Sequence, residues 1–154
     1  MRARLYIKLL STAGAVLVVD QVTKSMALEA LDRPKHLIDG WLSLRLTYNS
    51  GGAFGLLQGL PGLFAVATIV AAVLILVWVR HIEDQGWTIP LGLVLGGGLG
   101  NVFDRLVRDT GGRVVDFIDF HFWPVFNVAD VCIVTGVLLV LLFGSRSASE
   151  PGHG

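Results

Sequence analysis

"VFNVADVCIVTGVLLVLLF", Val125–Phe143, decides the fold class. It is a nearly unbroken apolar run of about the 20 residues that cross a bilayer as a helix. Yet Asp130 lies close to its start. A carboxylate is costly in lipid, so it has to face protein or water. The preceding stretch, "RVVDFIDFHFWP" (Arg113–Pro124), sets two more acids, Asp116 and Asp119, among Val, Ile, Phe and Trp.

The composition agrees with a membrane chain. Of 154 residues, 53% are hydrophobic and 16% charged, and mean hydropathy is +0.68. A soluble domain carries about a quarter charged residues. Three further apolar runs, 6–28, 63–79 and 87–107, join 125–143 as candidate spans. The expected fold is an all-α membrane protein, a bundle of four transmembrane helices with a small β-sheet. Residues 1–144 form its single domain, with loops 29–62 and 108–124 on one side. Residues 145–154, "SRSASEPGHG", read as a disordered tail. The first run could instead be a secretory leader cut after "SMA", but Asp20 and Lys24 stand between the apolar run and that cut. Cys132 is the only cysteine, so no internal disulfide forms, and it reads as inert packing. Zero net charge gives no sign of nucleic-acid binding.

Four spans in series alternate in direction. The end of the first, the start of the second, the end of the third and the start of the fourth therefore share one side. The out-of-place polar residues all fall there: Asp20 and Lys24, Asn49, then Asn101, Asp104 and Arg105, then Asp116, Asn127 and Asp130. Within each helix they recur at i,i+3 or i,i+4, so each helix offers one polar stripe. The stripes are expected to face one another. Lys and Arg favour the cytoplasmic side, but Arg2, Arg4, Lys8, Arg80 and Arg146 on one side balance Arg33, Lys35, Arg45, Arg108 and Arg113 on the other. In the first loop Leu42, Leu44 and Leu46 alternate with Ser43, Arg45 and Thr47 after an Asp39-Gly40 turn, which predicts a hairpin strand. "RVVDFIDF" supplies further β-formers.

Gly92, Gly96 and Gly100 lie four apart and read as a close helix-packing face rather than a phosphate loop, since the Walker Lys-Ser/Thr is missing. Asp20 and Lys24 read equally as a structural ion pair or as part of an active site. Asn49 would donate to a substrate carbonyl or brace its loop. His36, His81, His121 and His153 lack metal-ligand spacing, so no metal is expected. Asp119 reads as a solvated loop carboxylate. Asp116 and Asp130, one just outside the fourth span and one just inside, can meet at the membrane surface. Two close carboxylates in an apolar setting share a proton. One can then take a proton from water while the other polarises a carbonyl. A proton relay in an ion-coupled carrier uses the same groups, but such paths run through the bilayer midplane, and here the polar groups gather on one side. A non-catalytic membrane anchor leaves the acids unexplained.

"VVDQVTK", "TYNSGGAFG", "GGGLGNVFDRL", "GRVVDFIDF" and "FNVADVCI" follow one another in the order found in the bacterial lipoprotein signal peptidases (signal peptidase II), and the chain resembles that family from about Asp20 to the end of the fourth span. The resemblance implies an aspartic endopeptidase of the bacterial plasma (inner) membrane, multi-pass, with both termini cytoplasmic and the sheet and active site extracytoplasmic. It implies removal of signal peptides from diacylglyceryl-modified prolipoproteins just before the lipidated cysteine, no cofactor, and inhibition by globomycin. The catalytic pair falls on Asp116 and Asp130, and supporting residues on Asp20, Lys24, Asn49, Gly52, Asn101, Asp104, Arg105 and Asn127. Partners are the prolipoprotein and membrane lipid, and the chain is read as a monomer.

Overall fold

The structure, a computed structural model, describes residues 2–51, 61–82 and 85–149. Its elements run α1 (Arg2–Ala30), β1 (Lys35–Ile38), β2 (Leu42–Asn49), α2 (Pro61–Trp78), α3 (Thr88–Leu106), β3 (Val114–Asp119) and α4 (Val128–Ser149), with two short 3-10 turns between α2 and α3. The architecture is mostly helical with one small antiparallel sheet, ordered β1-β2-β3.

α1 buries Leu5, Leu9, Ala13, Val16, Asp20, Lys24 and Ala27, a stripe at alternating three- and four-residue spacing. Its other faces expose Ile7, Leu10, Val18, Val22 and Met26. A helix that turns apolar residues outward as well as inward is suited to contact with lipid. Of the described helices, α1 alone is both long and apolar enough to cross a membrane; Ala65–His81 and Val128–Gly144 are shorter apolar stretches.

α3 is the central helix because its glycines admit three neighbours. A Cβ on Gly96 would stand 2.6 Å from the Ala13 carbonyl oxygen of α1, one on Gly97 2.5 Å from the Ala129 carbonyl of α4, and one on Gly98 2.7 Å from Thr68 of α2. Three consecutive residues thus meet three different helices, and Gly92 and Gly100 extend the α1 face. The small-residue packing read from the sequence holds. Leu5, Leu9, Val79, Leu91 and Leu95 fill the core at the other end.

The sheet follows the predicted hairpin. Gly40 turns it with φ 73°, in the left-handed region that glycine enters freely. β2 then pairs with β3, setting Thr47 opposite Asp116 and Asn49 opposite Val114. Ala27 and Leu31 pack on Phe117 and fasten the sheet to α1.

The helices differ from the expected spans by up to four residues at most ends, α1 starting at Arg2 rather than 6, and α4 differs most. α4 begins at Val128 rather than 125, because Phe126 bridges to Ile118 at the sheet edge and Asn127 caps the helix. α4 also continues to Ser149, so 145–149 are helical where a disordered tail was expected; residues 150–154 lie outside the described residues.

Candidate active site

The polar stripes do converge, as two layers. The inner layer is ionic. Lys24 Nζ lies 2.9 Å from Asp20 Oδ2 and 2.9 Å from Asp104 Oδ2, and all three side chains are fully buried. The sequence left open whether Asp20 and Lys24 form a structural pair. They do, and they act on the backbone of the outer layer. Asp20 Oδ1 accepts the Ala129 N–H at 2.9 Å, and Asp104 Oδ2 accepts the Val115 N–H at 3.0 Å. Ala129 and Val115 immediately precede Asp130 and Asp116. One lysine, gripping two acids, therefore fixes the approach of both candidate catalytic residues.

The outer layer is built from amides. Asn127 Nδ2 donates to Asp116 Oδ1 at 2.6 Å, and Asn49 Nδ2 donates to Asp116 Oδ2 at 3.1 Å. Asn101 Nδ2 donates to Asp130 Oδ1 at 2.8 Å, while its Oδ1 accepts from Lys24 at 3.0 Å, which links the layers. Asn127 and Asp130 also cap α4 reciprocally. The Asp130 N–H donates to Asn127 Oδ1 at 3.0 Å and the Asn127 N–H to Asp130 Oδ2 at 3.3 Å. This is a capping box with aspartate in the place usually held by Glu or Gln. It fixes the Asp130 carboxylate against Asn127, at the junction of the sheet and α4. Asn49 Oδ1 accepts the Gly51 N–H at 2.9 Å, so Asn49 braces its own loop as well as Asp116. Arg105 donates to the Asn101 carbonyl, and its charge is felt by Asp130, Asp116 and Asp104.

Asp116 is 1% exposed. Burial pushes its carboxyl up to about 7, and the nearby Asp130 charge adds to this, against the Asn49 and Asn127 hydrogen bonds. A group poised there exchanges protons near neutrality. Asp130 instead lines a cavity of about 360 Å³, with Asn49, Asn101, Arg105, Trp123 and Ile133 among its walls. An apolar cavity of about 260 Å³ shares Thr68, Gly98 and Ile133 with it and leads on between α2 and α3.

All the predicted site residues except Gly52 meet here; Gly52 lies outside the described residues. Asp119 is a correction. It is a strand residue, 6% exposed rather than solvated, and it pairs with Arg45 Nε at 2.8 Å. Burial works to raise its carboxyl, but the His121 N–H and the Arg45 guanidinium outweigh that and hold it below the usual carboxylate range. Two residues were missed. Gln21 Nε2 bridges Asp20 Oδ2 at 3.1 Å and Asp104 Oδ1 at 3.2 Å, and Arg108 Nε donates to Asp104 Oδ1 at 3.2 Å. The i,i+4 spacing of Asp104 and Arg108 was the available signal.

Residues 12–145 match the family model described as signal peptidase (SPase) II. A lipoprotein signal peptidase from Rhodococcus jostii is 41% identical over 135 residues, 84% of this chain and 68% of that protein. One from Pseudomonas putida is 37% identical over 153 residues, 90% of this chain and 88% of that protein. A solved structure described as a bacterial membrane enzyme superposes with a TM-score of 0.85 at 27% identity, covering 95% of this chain and 92% of its own.

Proposed function

Because the chain belongs to the signal peptidase II family, the lipoprotein signal peptidases, we propose that it is an aspartic endopeptidase of the bacterial plasma membrane whose catalytic pair is Asp116 and Asp130. The observation that carries this reading is that one residue, Asn127, donates to both carboxylates across the sheet–helix junction, its side-chain amide to Asp116 and its backbone N–H to Asp130. Asp116, the more deeply buried, holds the shared proton. Asp130, open to the cavity, takes a proton from water, whose oxygen attacks the scissile carbonyl carbon. Protonated Asp116 donates to the carbonyl oxygen as it becomes a hydroxyl. Collapse of the tetrahedral intermediate returns that proton to Asp116, and Asp130 passes its proton to the leaving amine.

The substrate is a prolipoprotein cut before its diacylglyceryl-modified cysteine. The apolar cavity leading away from Asp130 fits hydrocarbon, either the acyl chains or the apolar part of the signal segment. The bundle spans the membrane four times, as residues 1–144, with the sheet and site extracytoplasmic and both termini cytoplasmic. Two aromatic groups support that placement. Trp78, Trp87 and Phe143 cluster at the end away from the site, and Trp41 and Phe122 meet at the sheet end. Tryptophan and its aromatic neighbours favour the two bilayer interfaces. Globomycin would compete for the same cavity, and the chain works as a monomer.

The test is cleavage of a purified diacylglyceryl-modified prolipoprotein by wild type, Asp116→Asn and Asp130→Asn. Both variants should fold and lose cleavage by at least about a thousandfold. Near-wild-type cleavage by either one would remove that residue from the catalytic pair.

A further inference from the structure

Counting the charges at the site leaves one residue unaccounted for. Asp20 and Asp104 share Lys24, so the inner layer alone carries one excess negative charge in a fully buried place. A buried charge of that kind is expensive unless it is matched. Arg108 stands against it. Its Nε donates to Asp104 Oδ1 at 3.2 Å, and its NH2 donates to Gln21 Oε1 at 2.9 Å and to Ser25 Oγ at 3.4 Å. Gln21 hands the contact inward, since its Nε2 bonds both Asp20 and Asp104. The Arg108 side chain is 18% exposed, well sheltered for an arginine.

We propose that Arg108 is a positioning residue for this reaction: it supplies the third positive charge of the buried cluster and so sets the pH range in which the Asp116–Asp130 pair holds one proton. This rests on the aspartic-pair reading. Among the described residues, the charged groups acting on the pair are Lys24 and Asp20 from α1 and Arg105 from α3; Asp104 is bound to Lys24 and Arg108 to Asp104, and Cys132 on α4 is the further titratable group near Asp20. β2 presents the neutral Asn49, and its Arg45 is paired with Asp119 further along the sheet. Four carboxylates therefore meet three cations. The cluster is neutral when one of the four carboxylates is protonated. Asp20 and Asp104 each lie 2.9 Å from the Lys24 ammonium and are matched by it, so the carboxylates left to carry the proton are those of the pair. Without Arg108 the cluster is neutral only with both members of the pair protonated, which is the inactive state. The active, singly protonated state then requires a higher pH.

The experiment is the pH profile of kcat/KM for cleavage of a diacylglyceryl-modified prolipoprotein. Arg108→Gln should move the whole profile upward, since loss of a nearby positive charge favours the protonated carboxyl. Arg108→Lys, which keeps the charge, should leave it in place. A profile unmoved in Arg108→Gln, or moved equally in Arg108→Lys, overturns the proposal, even if the rate falls. If Arg108→Gln does not fold, Ser25→Asp adds a negative charge beside Arg108 and should also raise the profile; no shift there overturns it too. Failure of the underlying reading is distinguishable, because Asp116→Asn or Asp130→Asn would then cleave substrate whatever Arg108 does.

Discussion

Four aspartates meet at one end of this bundle, and they fall into two kinds. Asp20 and Asp104 touch an ammonium, while Asp116 and Asp130 take their hydrogen bonds from amides. The chemistry differs accordingly. An ammonium at 2.9 Å matches the charge of both acids and makes them a fixed ionic anchor. An amide fixes geometry with a far weaker preference for charge, so burial and the neighbouring acid decide, and the proton becomes shareable. The same side chain thus serves as girder or as proposed catalyst according to its partner. The two kinds are coupled, because the girders hold the peptide N–H groups of Ala129 and Val115 beside the proposed catalytic pair.

The strongest way to break this contrast is Lys24→Met. It strands two buried carboxylates and should cost about 3–5 kcal/mol, seen as a large drop in thermal stability in detergent. Unchanged melting would mean that the inner layer is not held by charge. Next in size is Asn127→Ala. It should lose about 1 kcal/mol of helix capping and, by loosening the pair, about a hundredfold in kcat. A loss confined to KM would assign Asn127 to substrate binding instead.

Asp116→Asn sharpens the contrast through pH. A carboxyl raised to about 7 in the fold contributes stability that is full below its unfolded value of 3.8 and is lost as pH rises through 7. Wild type should therefore melt lower at pH 8 than at pH 5 on account of this group, and the asparagine variant should melt higher than wild type at pH 8. Equal melting at pH 8 would show that Asp116 is not held protonated by burial. The smallest effect belongs to Asp119→Asn. Its partner Arg45 is 47% exposed, so the loss should stay within about 1 kcal/mol. Cleavage should hardly change, and a large loss would make Asp119 part of the site.

Much of this was legible in the sequence because the bilayer makes polarity conspicuous. Asp20, Lys24, Asn101, Asp104, Asn127 and Asp130 stand out against apolar helices, and helical spacing aligns them. The hairpin was legible from its period of two and its Asp-Gly turn. What escaped depends on contacts across the chain. The burial of Asp119 needs Arg45, which is 74 positions away in sequence. The role of Gln21 needs Arg108, 87 positions away. The late start of α4 follows from the Phe126 bridge to Ile118, and an apolar run does not reveal where a strand pairing ends and a helix begins.

The central claim is that Asp116 and Asp130 work while sharing one proton. Its most direct test is the pH dependence of kcat/KM for wild-type cleavage of a diacylglyceryl-modified prolipoprotein, with a chelator present throughout. The expected profile is a bell whose alkaline limb falls as the shared proton is lost, with apparent values belonging to the pair. A rate that stays flat or keeps climbing from about pH 5 to about pH 9 would contradict it.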